Sequence, residues 1–553
     1  MDRTGDTLIQ AGMHNIVHRN IQDMITNYLF INNKQKKMKT RNLIYLAFGA
    51  AVMTMSMTSC SDNNDDPVVV QPDGYKWGKD GSIVTCDHLL FTDDGKEAAN
   101  GKCIGNGNKE FVFTGKQTIK KGTYSMKGWI YVANGAELTI EKGTVIKGDK
   151  ATAASLIVEP GGKIFAKGSQ NEPIVFTSAQ PKGSRKPGDW GGLIICGRGT
   201  NNKGVLSQQI EGGPRTKHGG SDANDNSGVL SYVRVEFAGY PFEKDKEING
   251  ITFGSVGSGT QIDHLQVSYS NDDSYEWFGG NVNCRYLVAF NGWDDEFDTD
   301  NGYSGKVQFA LSIRNPRIAD ASQSNGFESD NDADGSLTEP FTSATFSNVT
   351  FIGPNGRDGF QNTKDFINGG GVFPQNGSAL GLFQSAMQIR RSSHLACFNS
   401  VAVGYPIGLI VDGEKGGTQK YAQDGKLKLQ NIIFAGMTIT GSDANKHYVD
   451  ELYDAHGKKV IDSSRESYSS TFFKAQPGNK VLNNISELRL VTGRYAGVGY
   501  IPSAGSPLLG MASFTDKLLA SWFEKVDYIG AFASNNDNWL AGWANFDPQN
   551  TDY

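Results

Sequence analysis

The sequence predicts an all-β solenoid, a right-handed parallel β-helix, on three observations. A five-residue pattern recurs five times between Ile251 and Lys364, each copy follows a turn, and the body is rich in glycine, with 68 among 553 residues. The copies are Ile251-Thr252-Phe253-Gly254-Ser255, Tyr275-Glu276-Trp277-Phe278-Gly279, Phe297-Asp298-Thr299-Asp300-Asn301, Phe327-Glu328-Ser329-Asp330-Asn331 and Phe360-Gln361-Asn362-Thr363-Lys364. Their first positions lie 24, 22, 30 and 33 residues apart. Asn249-Gly250, Asp272-Asp273-Ser274, Asp294-Asp295-Glu296, Asn325-Gly326 and Asp358-Gly359 precede them, and these are turn formers. A turn followed by a short strand, repeated at this interval, is the pattern of stacked coils.

Strand side chains alternate faces, so the first and third positions of each copy share one face and the second and fourth take the other. Stacked about 4.8 Å apart, the first positions form an apolar column, Ile251, Tyr275, Phe297, Phe327 and Phe360, that should point inward. The second positions are Thr252, Glu276, Asp298, Glu328 and Gln361; the fourth are Gly254, Phe278, Asp300, Asp330 and Thr363. Glu276, Asp298, Asp300, Glu328 and Asp330 thus form an acidic grid, with about 5 Å between rungs and about 7 Å along a strand. Carboxylates this close raise one another's pKa unless a cation lies among them.

The N-terminus reads as targeting sequence. Residues 1–37 are an upstream extension. Met38-Lys39-Thr40-Arg41 starts a basic region, Leu43 to Met57 is an apolar stretch too short to span a bilayer, and residues 38–59 make a signal peptide. Met57-Thr58-Ser59-Cys60 has the form of a lipobox with Cys60 as the lipidated residue, and the acidic tether 60–75 fits export to the cell surface; a plain periplasmic linker is the alternative. Residues 1–59 carry seven Lys/Arg and three Asp/Glu, so the net charge of -6 becomes -10 for the rest. That balance argues against nucleic acid or anionic lipid and for cations or neutral ligands. Five cysteines follow Cys60, an odd number that excludes a complete disulfide framework. Cys86 and Cys103 could pair; Cys196, Cys284 and Cys397 lie in β-type segments and read as buried.

Residues 76–114 read as an N-terminal cap and 115–440 as the β-helix. Short strands with turns between them run through Trp129-Ile130-Tyr131-Val132, Glu137-Leu138-Thr139-Ile140, Gly143-Thr144-Val145-Ile146, Ser155-Leu156-Ile157-Val158 and Ile174-Val175-Phe176-Thr177, three per coil. Gly197 to Asn226 is a polar loop on one edge, and 364–385 and 412–426 are insertions. Ile262 to Val267, Arg285 to Phe290, Val307 to Ile313, Phe346 to Phe351 and Leu429 to Phe434 belong to a second sheet of the same coils. Residues 441–510 are irregular or late coils. The aromatic 511–553 reads as a cap over the last open rung.

Gly143 to Lys150, Arg185 to Gly192, Asn271 to Gly280, Ser324 to Asn331 and Trp543 to Gln549 carry a resemblance. Over about residues 110–550 the chain resembles a family of Bacteroidetes-type exported lipoproteins built on the pectate-lyase-like right-handed β-helix. The resemblance implies the fold and a lipid-anchored place in the outer membrane, facing the exterior. It brings no settled activity, since fold alone does not fix function.

The grid carries the chemistry. Asp298, Asp300, Glu328 and Asp330 are candidate ligands for Ca²⁺, which takes an all-oxygen shell. Glu276, Trp293, Asp298, Tyr303 and Glu328 are candidate ligand-binding residues, because aromatics beside carboxylates grip sugar rings. A solvated acidic face with no ligand is the structural alternative, and Asp272, Asp273, Asp294 and Asp295 read as turn residues. Catalytic carboxylates fit the spacing of glycosidase pairs, but no Gly-His-Gly segment accompanies them. A lyase would want an Arg base: Arg314, Arg317, Arg390 and Arg391 are available, and of the adjacent Arg390 and Arg391 a strand would let one reach a groove. The expectation is therefore a surface lipoprotein that binds an extracellular glycan. A polysaccharide lyase or glycoside hydrolase is the second reading. An adhesin or accessory subunit of an outer-membrane transporter is the third.

Overall fold

The computed structural model describes residue 83 onward, apart from 244–245, 357–358, 370–380, 443–450, 454–458, 462–465, 493–497, 535 and 537–538. It also describes the backbone of the short strands Val69–Val70 and Lys76–Trp77. The upstream extension, the signal peptide at 38–59 and Cys60 lie outside the described residues.

Each coil contributes three short parallel strands. Sheet 1 has twelve strands, from Val84–Cys86 to Ile439–Ser442, all paired in parallel. Sheets 2 and 3 begin as separate strands, such as Lys116–Ile119 and Thr123–Met126. From Gly228–Glu236 onward one longer strand serves both, its first half pairing with Lys163–Lys167 and its second with Ile174–Ser178. The bend between the halves is one residue in the left-handed region on every rung: Tyr232, His264, Tyr286, Phe309, Asn348, Asn399 and Asn431, with φ between 48° and 59°. Such a conformation costs an ordinary residue roughly 1 kcal/mol or more. Stacking offsets it, since neighbouring rings along the first four lie 4.2, 4.4 and 5.2 Å apart. Asparagine, which tolerates the region, takes the last three.

The inward column stacks as its pattern requires. Ile251 pairs with Tyr275, Tyr275 with Phe297 and Phe297 with Phe327. Trp277 lies between Phe253 and Tyr303, at 5.7 and 5.4 Å, as core. The fifth copy is not a rung: Phe327 pairs with Met387. Phe360 belongs to a side cluster with Ala319, Ile367 and Phe383 in the insertion. Parallel pairing also starts earlier than the boundary at 115, because Val84–Cys86 and Phe111–Phe113, inside the segment read as a cap, are already rungs of sheet 1. No disulfide joins Cys86 and Cys103: both are buried, one on sheet 1 and the other in an antiparallel pair with Phe91.

The C-terminal segment is not an end cap. It runs back along the outside of sheet 3, because that sheet is apolar on both faces. Val288, Leu311, Thr350, Val401 and Ile433 form one outward column, apolar but for Thr350, whose hydroxyl accepts from Ala531 N, and Phe290, Ile313, Ile352 and Val403 form another. Ile529, Phe532, Leu540 and Trp543 cover them. Side-chain amides grip the strap's backbone at both groups of a single residue. Gln308 donates to Glu524 O at 2.7 Å and accepts from Glu524 N at 2.8 Å. Gln266 does the same with Asn545 and Asn399 with Ser513. The last rungs are closed instead by helix Tyr468–Ala475, whose Phe473 stacks 4.1 Å from Phe434. A helix satisfies its own backbone and so ends a ladder without a free edge.

Trp543 is fully buried, with its ring edge-on to Tyr232 and His264. Trp543→Ala should cost about 3–5 kcal/mol in denaturant unfolding and release the strap to hydrogen exchange while sheet 1 stays protected. A cost under about 1 kcal/mol would show that the strap is not needed to cover sheet 3.

Candidate functional site

The outward columns of sheet 1 stand in the register that the repeat implies. The second positions run Ile194, Thr252, Glu276, Asp298, Glu328, Gln388 and Ile410; the fourth run Cys196, Gly254, Phe278, Asp300, Asp330, Arg390 and Asp412. Acid rungs are thus bounded by apolar residues on the N-terminal side and by Arg390 on the other.

Within the grid Asp298, Asp300 and Glu328 are partly buried and the other two almost enclosed. Glu276 is 6% exposed and Asp330 4%. The loop 197–226 roofs its N-terminal end: the His218 ring lies over Gly254, where a Cβ would come within 2.8 Å of it. Asn202 ties the same loop to later rungs, its Nδ2 donating to Asn331 O at 2.7 Å and its N–H to Asn301 O.

The turns add carboxylates that strand parity does not foresee. Asp273, Asp295 and Asn325 stack at one turn position, each accepting the next rung's backbone N–H: Asp273 Oδ1 from Asp295 at 2.8 Å, Asp295 Oδ1 from Asn325, and Asn325 Oδ1 from Ser385 at 3.0 Å. This ladder fixes Asp273 against the strand column. Two triads result, Asp272–Asp273–Asp294 and Asp273–Glu276–Asp298, in each of which one oxygen per residue lies within 4.8 Å of the others. Oxygens 2.3–2.6 Å from one Ca²⁺ are separated by at most about 5 Å, so each triad has the spread of a calcium shell. The Oδ1 atoms of Asp294 and Asp298 are buried without a hydrogen-bond partner. Asn249, itself buried, donates from Nδ2 to Glu276.

The electrostatics point the same way. Burial, then the charge of neighbouring carboxylates, holds Asp272, Asp273, Glu276, Asp295 and Asp298 well above the usual carboxylate range. Asp294 is pushed up to about 8 by burial and Asp320, and Asp300 to about 8 by burial and Asp330. Glu328 reaches about 6, since burial raises it while Arg390 pulls it down.

Of the residues singled out in the sequence, Glu276 and Asp298 enter a triad. Glu328 and Asp330 instead hold Arg390, whose Nη2 meets Glu328 and whose Nε lies 2.8 Å from Asp330. Arg391 also reaches Asp330, at 2.5 Å. It does so because the strand ends at Ile389 and Arg391 has φ 50°, so strand alternation no longer separates the two arginines. Against burial, Glu328 and Asp330 raise the pKa of Arg390, which suits an anchor and not a base. Asp300 accepts from Asn301, Nδ2 to Oδ2 at 2.7 Å. Trp293 and Tyr303 are fully buried and offer no face to a sugar: Trp293 O accepts from Ser324 and Arg314, and the Tyr303 hydroxyl donates to Val282 O. Arg314 is bound to Glu296, both fully buried, and Arg317 lies over Phe366. Asp272, Asp273 and Asp294, which read as turn residues in the sequence, are brought into the triads by the structure. Their recurrence one rung apart, directly before the acid column, was the available signal.

Each raised carboxyl binds its proton more tightly in the folded chain than in the unfolded one. Their contribution is therefore full below the ordinary carboxylate range and lost as pH rises through the folded values, up to about 8 for Asp294 and Asp300. Without divalent cations the melting temperature should fall from about pH 4 to about 8, and Ca²⁺ should remove the fall. Asp298→Asn should raise the melting temperature in chelator at the alkaline end and lower it in Ca²⁺. The same sign in both media would contradict a metal-dependent cluster.

A family model described as a pectate-lyase like beta helix domain matches residues 112–472. No curated protein and no solved structure matches the chain.

Proposed function

Because the chain belongs to the pectate-lyase-like β-helix family, we propose that it binds a carboxylate-bearing glycan through calcium held on sheet 1. The observation that carries this reading is the pair of carboxylate triads sharing Asp273. Two cations bridged by Asp273 would relieve the repulsion that raises these groups, and their remaining coordination positions would take oxygens from a ligand. With Trp293 and Tyr303 in the core, stacking on those rings does not contribute. Recognition then falls to cation–oxygen contacts, which favour uronate-type sugars over neutral ones.

Binding is favoured over cleavage by a lyase mechanism, because Arg390 is tied to two carboxylates and strongly protonated. A glycoside hydrolase is the second reading. Asp300 lies outside both triads and keeps its proton near neutrality, which suits a general acid. We also place the protein at the outer membrane through lipid on Cys60, facing the exterior, where an outer-membrane transporter could receive its ligand. Cys60→Ala should then move it out of the membrane fraction of cells, and retention there would remove the anchor.

Calorimetric titration of residues 61–553 with Ca²⁺ should show two saturable sites, in the 10⁻⁴–10⁻³ M range roughly typical of extracellular modules. Polygalacturonate in a native gel should retard the protein in Ca²⁺ and not in chelator, with no loss of polymer length. Asp273→Asn should abolish both effects. Retardation indifferent to Ca²⁺ and to the substitution would overturn the reading, and shortened polymer would favour the hydrolase.

A further inference from the structure

The net negative charge of this chain is not spread evenly. Residues 83–190 hold 15 Lys/Arg and 11 Asp/Glu, whereas residues 191–553 hold 29 and 40. Among the coils of a solenoid, order in sequence is order along the axis, so the early coils form a positive end, although the returning terminal segment brings Asp552 to Lys182 there. The whole-chain balance, which argues against an anionic partner, averages two regions of opposite sign.

The positive charge is concentrated on the outer face of sheet 2. Register places Lys116, Glu137 and Lys163 in one column and Thr118, Thr139 and Phe165 in the next. Lys120, Glu141 and Lys167 follow on the same face, one step beyond the paired strand ends. Lys121 and Lys142 flank Glu172 at the adjoining turn, at 2.8 and 2.6 Å. Six lysines therefore face three glutamates. Lys116 and Lys120 each hold a glutamate at 2.8 Å, whereas Lys163 and Lys167 have no ion-pair partner among the described residues.

Those two lysines bracket Phe165, all three outward on the one strand Lys163–Lys167, with Phe165 only half-buried. A depression of about 550 Å³ opens here, lined by Ile140, Phe165, Lys121, Lys142 and Lys167 together with Glu141 and Glu172. The patch ends abruptly: the next rung places Val229 beside Phe165 and Ser231 beside Lys167, and the rung after that brings Gln261 and Asp263. Cations around an apolar ring on a rigid sheet suit an interface whose surface is anionic and whose interior is apolar.

We propose that this face of the first coils rests on the phosphate-bearing headgroups of an anionic membrane, with Phe165 entering the headgroup layer and Lys163, Lys167 and their neighbours meeting phosphates. Position in the chain supports the choice of occupant. The patch lies on the coils that follow the N-terminal tether, and Val84 lies 24 positions after Cys60. That is at most roughly 80 Å when extended, a length that keeps these coils within reach of the anchoring surface. The acidic columns lie on later rungs and on sheet 1, so docking by this face of sheet 2 does not use them. The proposal draws on the lipid-anchor reading for its occupant, but its test does not use the lipid.

The test is co-sedimentation of residues 61–553, which lack Cys60, with vesicles of phosphatidylcholine alone or mixed with phosphatidylglycerol. Binding should appear only with the anionic vesicles and should fade as salt rises from about 0.1 to 1 M. Each lysine near such a surface is worth roughly fivefold in affinity. Lys163→Glu with Lys167→Glu should therefore weaken binding about 25-fold or more, with the melting temperature and Ca²⁺ titration unchanged. Phe165→Ser should weaken it without altering its salt dependence. No binding to anionic vesicles, equal binding to neutral ones, or binding indifferent to the charge reversal would each overturn the proposal.

Discussion

A parallel coil places every residue about 4.8 Å from its counterpart on the next rung, and the rest of this structure follows from that repetition. Like stacks on like. For aromatic residues the result is favourable: Phe253, Trp277 and Tyr303 pile face to face in the core, and Tyr232, His264, Tyr286 and Phe309 pile along a bend that would otherwise be strained. For asparagine it is also favourable, since Asn431 donates from Nδ2 to Asn399 Oδ1 at 2.7 Å. For carboxylates it is not. Glu276, Asp298 and Glu328 occupy successive rungs of one column, and repetition alone would drive them apart. A chain that keeps such a column has a use for the charge or a partner that neutralises it.

The two ends of the acidic region resolve this differently. At the C-terminal end the protein supplies its own cations, because Arg390 lies between Asp330 and Asp412 in the fourth column and Arg391 closes on Asp330 from outside the strand. At the N-terminal end, around Asp273, the nearest arginines are bound elsewhere, Arg314 to Glu296 and Arg390 to Glu328 and Asp330. The asymmetry separates a region that is internally balanced from one that is poised for an added ion. It also gives the groove a direction, with carboxylates at one end and arginines at the other.

The repeat was legible because it is periodic. The inward column, both outward columns and the three-strand coil could be read from spacing and alternation. What could not be read lies where periodicity breaks. Phe360 matches the motif but lies in the excursion between strands Thr345–Ile352 and Ser385–Ile389, and Met387, with no motif around it, takes its place on the rung. Asp272, Asp273 and Asp294 sit in turns, where face alternation carries no information. Trp293 and Tyr303 were placed beside the groove by proximity in sequence, yet the turns carry both into the interior. The terminal segment looked like a cap because it is aromatic and unrepeated. The clue to its real course was elsewhere, in Arg285-Tyr286-Leu287-Val288-Ala289-Phe290, a strand with no polar face beyond its first residues and therefore in need of a cover on both sides.

Whether the cluster around Asp273 is a cation site is decided most directly by diffraction from crystals grown with a lanthanide in place of Ca²⁺. The account predicts two anomalous peaks on sheet 1, one within the Asp272–Asp273–Asp294 triad and one within Asp273–Glu276–Asp298, with Asp273 touching both. A fully ordered cluster with no peak at either triad, its carboxyls paired by protons or water, would contradict it.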